Sequence, residues 1–61
     1  TSQALAQAVS RGVQALAAGE PEQAARHLVP VAEDPAFASA RDFDDIRARV
    51  YSLTAQALLE A

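Results

Sequence analysis

The stretch LAAGEPEQA at residues 16–24 predicts the end of one helix, a tight turn and the start of a second helix. Gly19 can adopt the left-handed conformation that closes a helix. Pro21 suits the first position of the next helix, where a missing N–H costs nothing. Glu20 and Glu22 place negative charge at the positive end of the second helix dipole. Because so short a turn makes the two helices antiparallel neighbours, the sequence predicts an αα-hairpin.

The first predicted helix covers residues 2–18 and carries two apolar stripes side by side. Its large side chains at helical spacing are Leu5, Val9, Val13 and Leu16. Its small residues on the neighbouring stripe are Ala4, Ala8, Gly12 and Ala15. A glycine inside a helix costs about 1 kcal/mol relative to alanine. Gly12 therefore indicates a close crossing with another helix, the alternative being a merely tolerated glycine.

The second predicted helix covers residues 21–33 and contains an internal proline. Pro30 removes one main-chain hydrogen bond, so we expect a kink near this residue and one further turn to Glu33. The alternative is a helix that stops at Val29. The Asp34-Pro35 pair predicts the end of the helix in either case.

A third predicted helix covers residues 42–60 and follows a loop at 35–41. Asp42 suits the capping position, and Asp44 and Asp45 place negative charge in the first turn. The same aspartates are spaced for surface ion pairs, Asp44 with Arg47 and Asp45 with Arg49. The main apolar stripe of this helix consists of Phe43, Ile46, Val50, Leu53 and Ala57. In the loop, Phe37 is expected to close the end of the hairpin.

The whole chain, residues 1–61, is therefore predicted to be one all-α domain: an antiparallel hairpin plus a third helix. Two arrangements fit this pattern, a fragment of an α-solenoid and a small three-helix bundle. A domain of 61 residues buries only ~60% of its unfolded surface. Its aliphatic core is thin, which favours packing against another copy, another repeat or a partner.

Composition argues against several classes of function. The net charge of −3 disfavours nucleic-acid binding, which needs a basic surface. No apolar run approaches the ~20 residues of a membrane span. No signal peptide is recognisable, which weakly favours the cytoplasm. All five basic residues are arginines and alanine is abundant, a usage typical of a GC-rich bacterial genome.

The side chains that could support catalysis or metal binding form no motif. The chain has no cysteine, which excludes a disulfide and a thiolate site. His27 is interpreted as a solvated surface residue, because no nucleophile motif accompanies it. Asp42, Asp44 and Asp45 lack the glycine and distal glutamate of a calcium loop, so capping is the better interpretation. We expect no enzymatic activity, no cofactor and no metal site.

A series of positions in the hairpin follows the order typical of a helical repeat: Gly12, Gly19-Glu20, Ala24, Leu28, Val31 and Pro35. This order resembles a tetratricopeptide repeat. Aligning Gly12 with Ala55 also places Leu16 on Leu59 and Ala18 on Ala61. The third helix then corresponds to the opening helix of a second repeat, so the chain would contain about one and a half repeats.

The resemblance implies a scaffold for protein–protein contact, in which the first helix of each repeat lines a concave face. The matching positions are Ala6, Val9, Val13, Leu16, Arg49, Ser52, Gln56 and Leu59. Members of this family that bind a peptide carboxylate use Lys, Arg and Asn there, and only Arg49 is present. We therefore predict an apolar surface that binds a partner helix, a peptide or a neighbouring protomer.

The predicted partner-binding residues are Val9, Val13, Leu16, Arg49, Gln56 and Leu59. The alternative is that the three apolar residues of the first helix are ordinary core, covered by the third helix. A second functional hypothesis is a stand-alone docking or self-assembly module of a larger bacterial assembly, forming homo-oligomers.

Overall fold

The computed structural model describes residues 2–61, which form four α-helices and one 3-10 turn. The elements are α1 (Ser2–Ala17), α2 (Pro21–Glu33), α3 (Pro35–Ser39), the 3-10 turn (Arg41–Phe43) and α4 (Arg47–Glu60). No strand is present in residues 2–61. The prediction of an all-α fold is confirmed.

The turn between α1 and α2 has the predicted chemistry. Gly19 has a φ of 75°. Its N–H donates to the carbonyl of Leu16 at 3.1 Å, and the N–H of Glu20 donates to the carbonyl of Ala15 at 2.9 Å. This is the Schellman arrangement, which satisfies carbonyls at the end of a helix. Pro21 occupies the first turn of α2, so the chain reverses within three residues of the end of α1.

The small-residue stripe of α1 packs against α2 at Gly12, which is buried. A Cβ atom at this position would lie 2.5 Å from Leu28 Cδ2, and nearer still to Leu28 Cγ. Leu28 is itself fully buried, in a cluster with Ala24 and Ala57. The predicted close crossing is therefore confirmed, because only a residue without a Cβ allows Leu28 this position.

α2 continues through Pro30 and ends at Glu33, with the N–H of Asp34 bonded to the carbonyl of Val31 at 3.1 Å. The predicted range of 21–33 is confirmed, and the alternative end at Val29 is wrong. The proline is exposed on the helix, where its ring displaces no core side chain.

The segment after α2 differs from the predicted loop at 35–41. Asp34 Oδ1 accepts a hydrogen bond from the N–H of Ala36 at 2.8 Å, and Pro35 occupies the first turn of α3. Phe37 is fully buried, and its ring centroid lies 5.0 Å from that of Phe43. The burial of these two rings stabilises a helix that is too short to persist alone.

The predicted start of the third helix at Asp42 is wrong. Asp42 lies in the 3-10 turn, and α4 begins five residues later at Arg47. Ile46 precedes the helix without a side-chain capping bond. Asp44 and Asp45 therefore lie before α4 rather than in its first turn. Phe43 is buried against Phe37 from the 3-10 turn rather than from within α4.

Arg47 joins the start of α4 to the segment before it. Its Nε donates to the carbonyl of Phe37 at 3.1 Å, and its Nη2 donates to the carbonyl of Ala40. Its Nη1 lies 2.8 Å from Asp44 Oδ1, which confirms one predicted ion pair. The other predicted pair, Asp45 with Arg49, is not formed within residues 2–61.

α2 is the central element of the fold, because α1 and α4 both pack mainly against it and touch each other at few points. Two buried clusters lie along these contacts. One contains Val31, Phe37, Phe43 and Val50, and the other contains Ala24, Leu28 and Ala57. The core therefore lies on either side of α2, and the facing sides of α1 and α4 remain open.

Candidate functional site: a groove between α1 and α4

An apolar groove runs between α1 and α4, which touch each other at few points. Its volume is about 290 Å³. The residues that line it are Val9, Val13, Ile46, Arg49, Val50 and Leu53. Five of the six are aliphatic, so the groove offers a surface that excludes water rather than a set of reactive groups.

The α1 wall of the groove consists of two valines one helical turn apart. Val9 is half-buried, because it packs against the cluster that contains Val31 and Phe37. Val13 is 41% exposed. The wall is therefore anchored in the core at one end and open to solvent at the other.

The α4 wall includes the residue that precedes the helix and its first two turns. Val50 is buried and forms the floor, and Leu53 packs against the Ala24–Leu28–Ala57 cluster. Ile46 is 37% exposed at one end of the groove. The floor of the groove therefore belongs to the core.

Arg49 is the single charged residue of the groove lining. It is exposed, and no acidic side chain of residues 2–61 lies within ion-pair distance of it. A cation beside aliphatic side chains can attract a carboxylate on the edge of an apolar partner.

Three of the six predicted partner-binding residues line the groove: Val9, Val13 and Arg49. Leu16 does not, because it packs beside α2 against the cluster of Ala24, Leu28 and Ala57. The structure therefore divides the apolar residues of α1. Leu16 joins the core, Val9 belongs to both core and groove, and Val13 faces outward.

The other two predicted residues lie on α4 outside the groove. Gln56 Nε2 donates to Glu60 Oε2 at 2.8 Å across one turn of the helix. Leu59 is 86% exposed and is the most exposed large apolar side chain in the described residues.

Sequence reasoning assigned Ile46, Val50 and Leu53 to the core stripe of the third helix and missed their place in the groove. The signal that could have revealed it was the width of that stripe. Tyr51 and Leu58, which are exposed, widen this stripe. The widened stripe covers more of the helix surface than one contact with α2 can bury.

A second depression, of about 340 Å³, lies at the end of the molecule that contains the α1–α2 turn. Glu20, Glu22 and Glu60 contribute carboxylates to its lining. The described residues contain no group of three His, Asp or Glu side chains placed to hold a metal ion. His27 is half-buried on α2 and makes no side-chain hydrogen bond within residues 2–61.

None of the helices in residues 2–61 combines the length and the apolar character needed to cross a bilayer. No protein-family model matches the chain, and neither a curated protein nor a solved structure is significantly similar to it.

Proposed function

We propose that this chain is a protein-interaction module that binds an amphipathic helix in the groove between α1 and α4. The observation that supports this proposal is an open apolar surface with a preformed floor. Val13 and Ile46 remain partly exposed on its two sides, while Val50 beneath them is buried. A module of this kind performs no catalysis and needs no cofactor.

The chemistry of the lining defines the partner. Aliphatic walls favour Leu, Ile or Val side chains at the i, i+3, i+4 and i+7 positions of a helix. At about 290 Å³, the groove is at the lower limit of pockets that hold small ligands, and a row of aliphatic side chains would fill it. Arg49 favours a partner with an acidic residue beside that row.

The proposal includes the interpretation of the chain as a tetratricopeptide-like module. The order of packing supports it. α1 and α4 correspond to the first helices of two successive repeats, and both pack against α2, which corresponds to the second helix of the first repeat. The close contact of Gly12 with Leu28 also supports it. α3 and the 3-10 turn lengthen the connection between α2 and α4 beyond a simple turn.

Selection from a library of displayed amphipathic helices tests this function and does not require the partner to be identified first. The protein is immobilised at low density, and helices that also bind the Val13→Asp variant are removed. We expect the enriched helices to carry an aliphatic stripe with an acidic residue beside it. They should bind in solution with micromolar or tighter dissociation constants.

A matched control separates the groove from other apolar surfaces. Leu58 is 57% exposed on α4 but does not line the groove. Helices selected as described should therefore retain their affinity for Leu58→Asp. If the library yields no helix that distinguishes the parent chain from Val13→Asp, the groove is not a docking site and the proposal is wrong.

A further inference from the structure

One stripe of α4 carries opposite charges at its two ends. It contains Arg49, Leu53, Gln56 and Glu60, which follow the i, i+4, i+7, i+11 spacing of one helix face. Arg49 and Leu53 line the groove. Arg49 and Glu60 are about three turns, or ~16 Å, apart along the helix axis.

Neither charge of this stripe is neutralised within the described residues. Glu60 accepts a hydrogen bond from Gln56 at 2.8 Å but forms no ion pair in residues 2–61. Arg49 also lacks an ionic partner there, although Asp45 precedes it by about one helical turn. Both groups can therefore pair with an opposite charge from outside the molecule.

The stripe is complementary to itself under a two-fold rotation. If two α4 helices pack antiparallel about an axis between Leu53 and Gln56, Arg49 of each copy meets Glu60 of the other copy. The ion pair then occurs twice, as an isologous interface requires. Glu20 and Glu22 line the same depression as Glu60, and their charge adds to the attraction for Arg49.

This pairing also places the partner copy beside the groove, against Arg49 and Leu53 of its lining. Val13 and Ile46 are 41% and 37% exposed, and both border the side of α4 on which the partner copy would lie. An unrelated acidic helix would pair with Arg49 but would offer Glu60 no opposite charge. Both charges are on one helix, at a spacing that satisfies both at once.

We infer that the occupant of the groove is a second copy of this chain, held by antiparallel α4 helices and two Arg49–Glu60 ion pairs. The inference rests on the proposed function, because it assigns a partner to the same groove. It describes a homodimer in which each copy packs against the other's groove lining at Arg49 and Leu53.

Sedimentation equilibrium over a concentration series tests the inference on the 61-residue chain. At about 0.15 M NaCl the Debye length is ~8 Å, which limits the long-range repulsion between two chains of charge −3. We expect a reversible monomer–dimer equilibrium. Arg49→Glu and Glu60→Arg should each weaken the dimer about tenfold or more, because each reversal creates two like-charge contacts.

The double variant with Arg49→Glu and Glu60→Arg gives the decisive result. It restores opposite charges at both contacts, so dimerisation should return to within about threefold of the parent chain. Arg26→Glu and Glu33→Arg change the net charge equally at exposed positions on α2, and they should leave the equilibrium unchanged. Circular dichroism verifies that every variant keeps its helix content.

A monomer at every concentration overturns the inference. A dimer that tolerates both single reversals, or that the double variant fails to restore, also overturns it. A dimer that Leu58→Asp dissociates but Arg49→Glu does not would lie on the opposite flank of α4, which overturns it as well. Each of these results leaves the helix selection described above to decide separately whether the groove binds another protein.

Discussion

The two sides of α1 meet their neighbours in opposite ways. Toward α2, Gly12 permits a contact so close that a Cβ atom would lie 2.5 Å from Leu28 Cδ2. Toward α4, Val13 and Ile46 leave a groove of about 290 Å³. The α1–α2 pair is close because Gly12 has no Cβ atom to obstruct Leu28. The comparison also shows that α2 holds α1 and α4 in place while they touch each other at few points.

The largest expected effect on stability comes from removing the Leu28 side chain at the close contact between α1 and α2. Leu28→Ala removes a fully buried side chain and should lower the free energy of unfolding by about 3 kcal/mol. A domain of this size is expected to have a total stability of only ~3–9 kcal/mol. Urea unfolding followed by circular dichroism measures the change.

Leu59→Ala is the matched control, because it makes the same chemical change at a site that is 86% exposed. It should change the stability by less than about 0.5 kcal/mol. Equal effects of the two substitutions would contradict the assignment of Leu28 to the core.

The next effect concerns how α4 is positioned. Arg47→Ala removes hydrogen bonds to the carbonyls of Phe37 and Ala40 and should destabilise the fold by about 2 kcal/mol. Asp44→Asn removes only the exposed ion pair of Arg47 and should cost about 0.5 kcal/mol or less. Because Arg47→Ala removes the ion pair as well, equal losses for the two variants in thermal unfolding would show that the ion pair rather than the carbonyl contacts holds α4.

A smaller effect tests the crossing at Gly12 directly. Gly12→Ala gains helix propensity of about 1 kcal/mol but forces Leu28 to move, at a cost of about 1–3 kcal/mol. We expect a net loss of about 1 kcal/mol in the parent chain. In the Leu28→Ala background the obstacle is gone, so the same substitution should stabilise. A double-mutant cycle in urea measures this change of sign, and additive effects would show that the two residues do not interact.

The parts of the fold that were predictable from sequence depend on local chemistry. Gly19 and Pro21 mark the turn through their own backbone preferences, and Gly12 stands out because it is costly within a helix. The segment from Pro35 to Ile46 was not predictable in the same way. α3 depends on the burial of Phe37 and on contacts from Arg47, ten residues later in the chain, and no local pattern encodes such contacts.

The candidate site was half predictable for a related reason. Val9, Val13 and Arg49 were predicted from the resemblance to a helical repeat, whose first helices line one face. Leu16, Gln56 and Leu59 lie outside the groove, because the placement of each depends on how its helix is rotated about its axis. The rotation of α4 is set by Phe43 and Val50, which are buried against Phe37, and this packing follows from the unpredicted segment.

The smallest expected effect on stability separates the open side of α1 from the closed side. Val13→Asp places a charge on a side chain that is 41% exposed, so at concentrations below dimerisation it should change the free energy of unfolding by less than about 0.5 kcal/mol. Val9→Asp, one turn away, places the same charge against the cluster of Val31 and Phe37 and should cost about 2 kcal/mol. Both variants should lose association, but only Val13→Asp should retain full helix content and cooperative unfolding. If Val13→Asp unfolds as readily as Val9→Asp, the α1 wall is core along its whole length and no partner can use the groove.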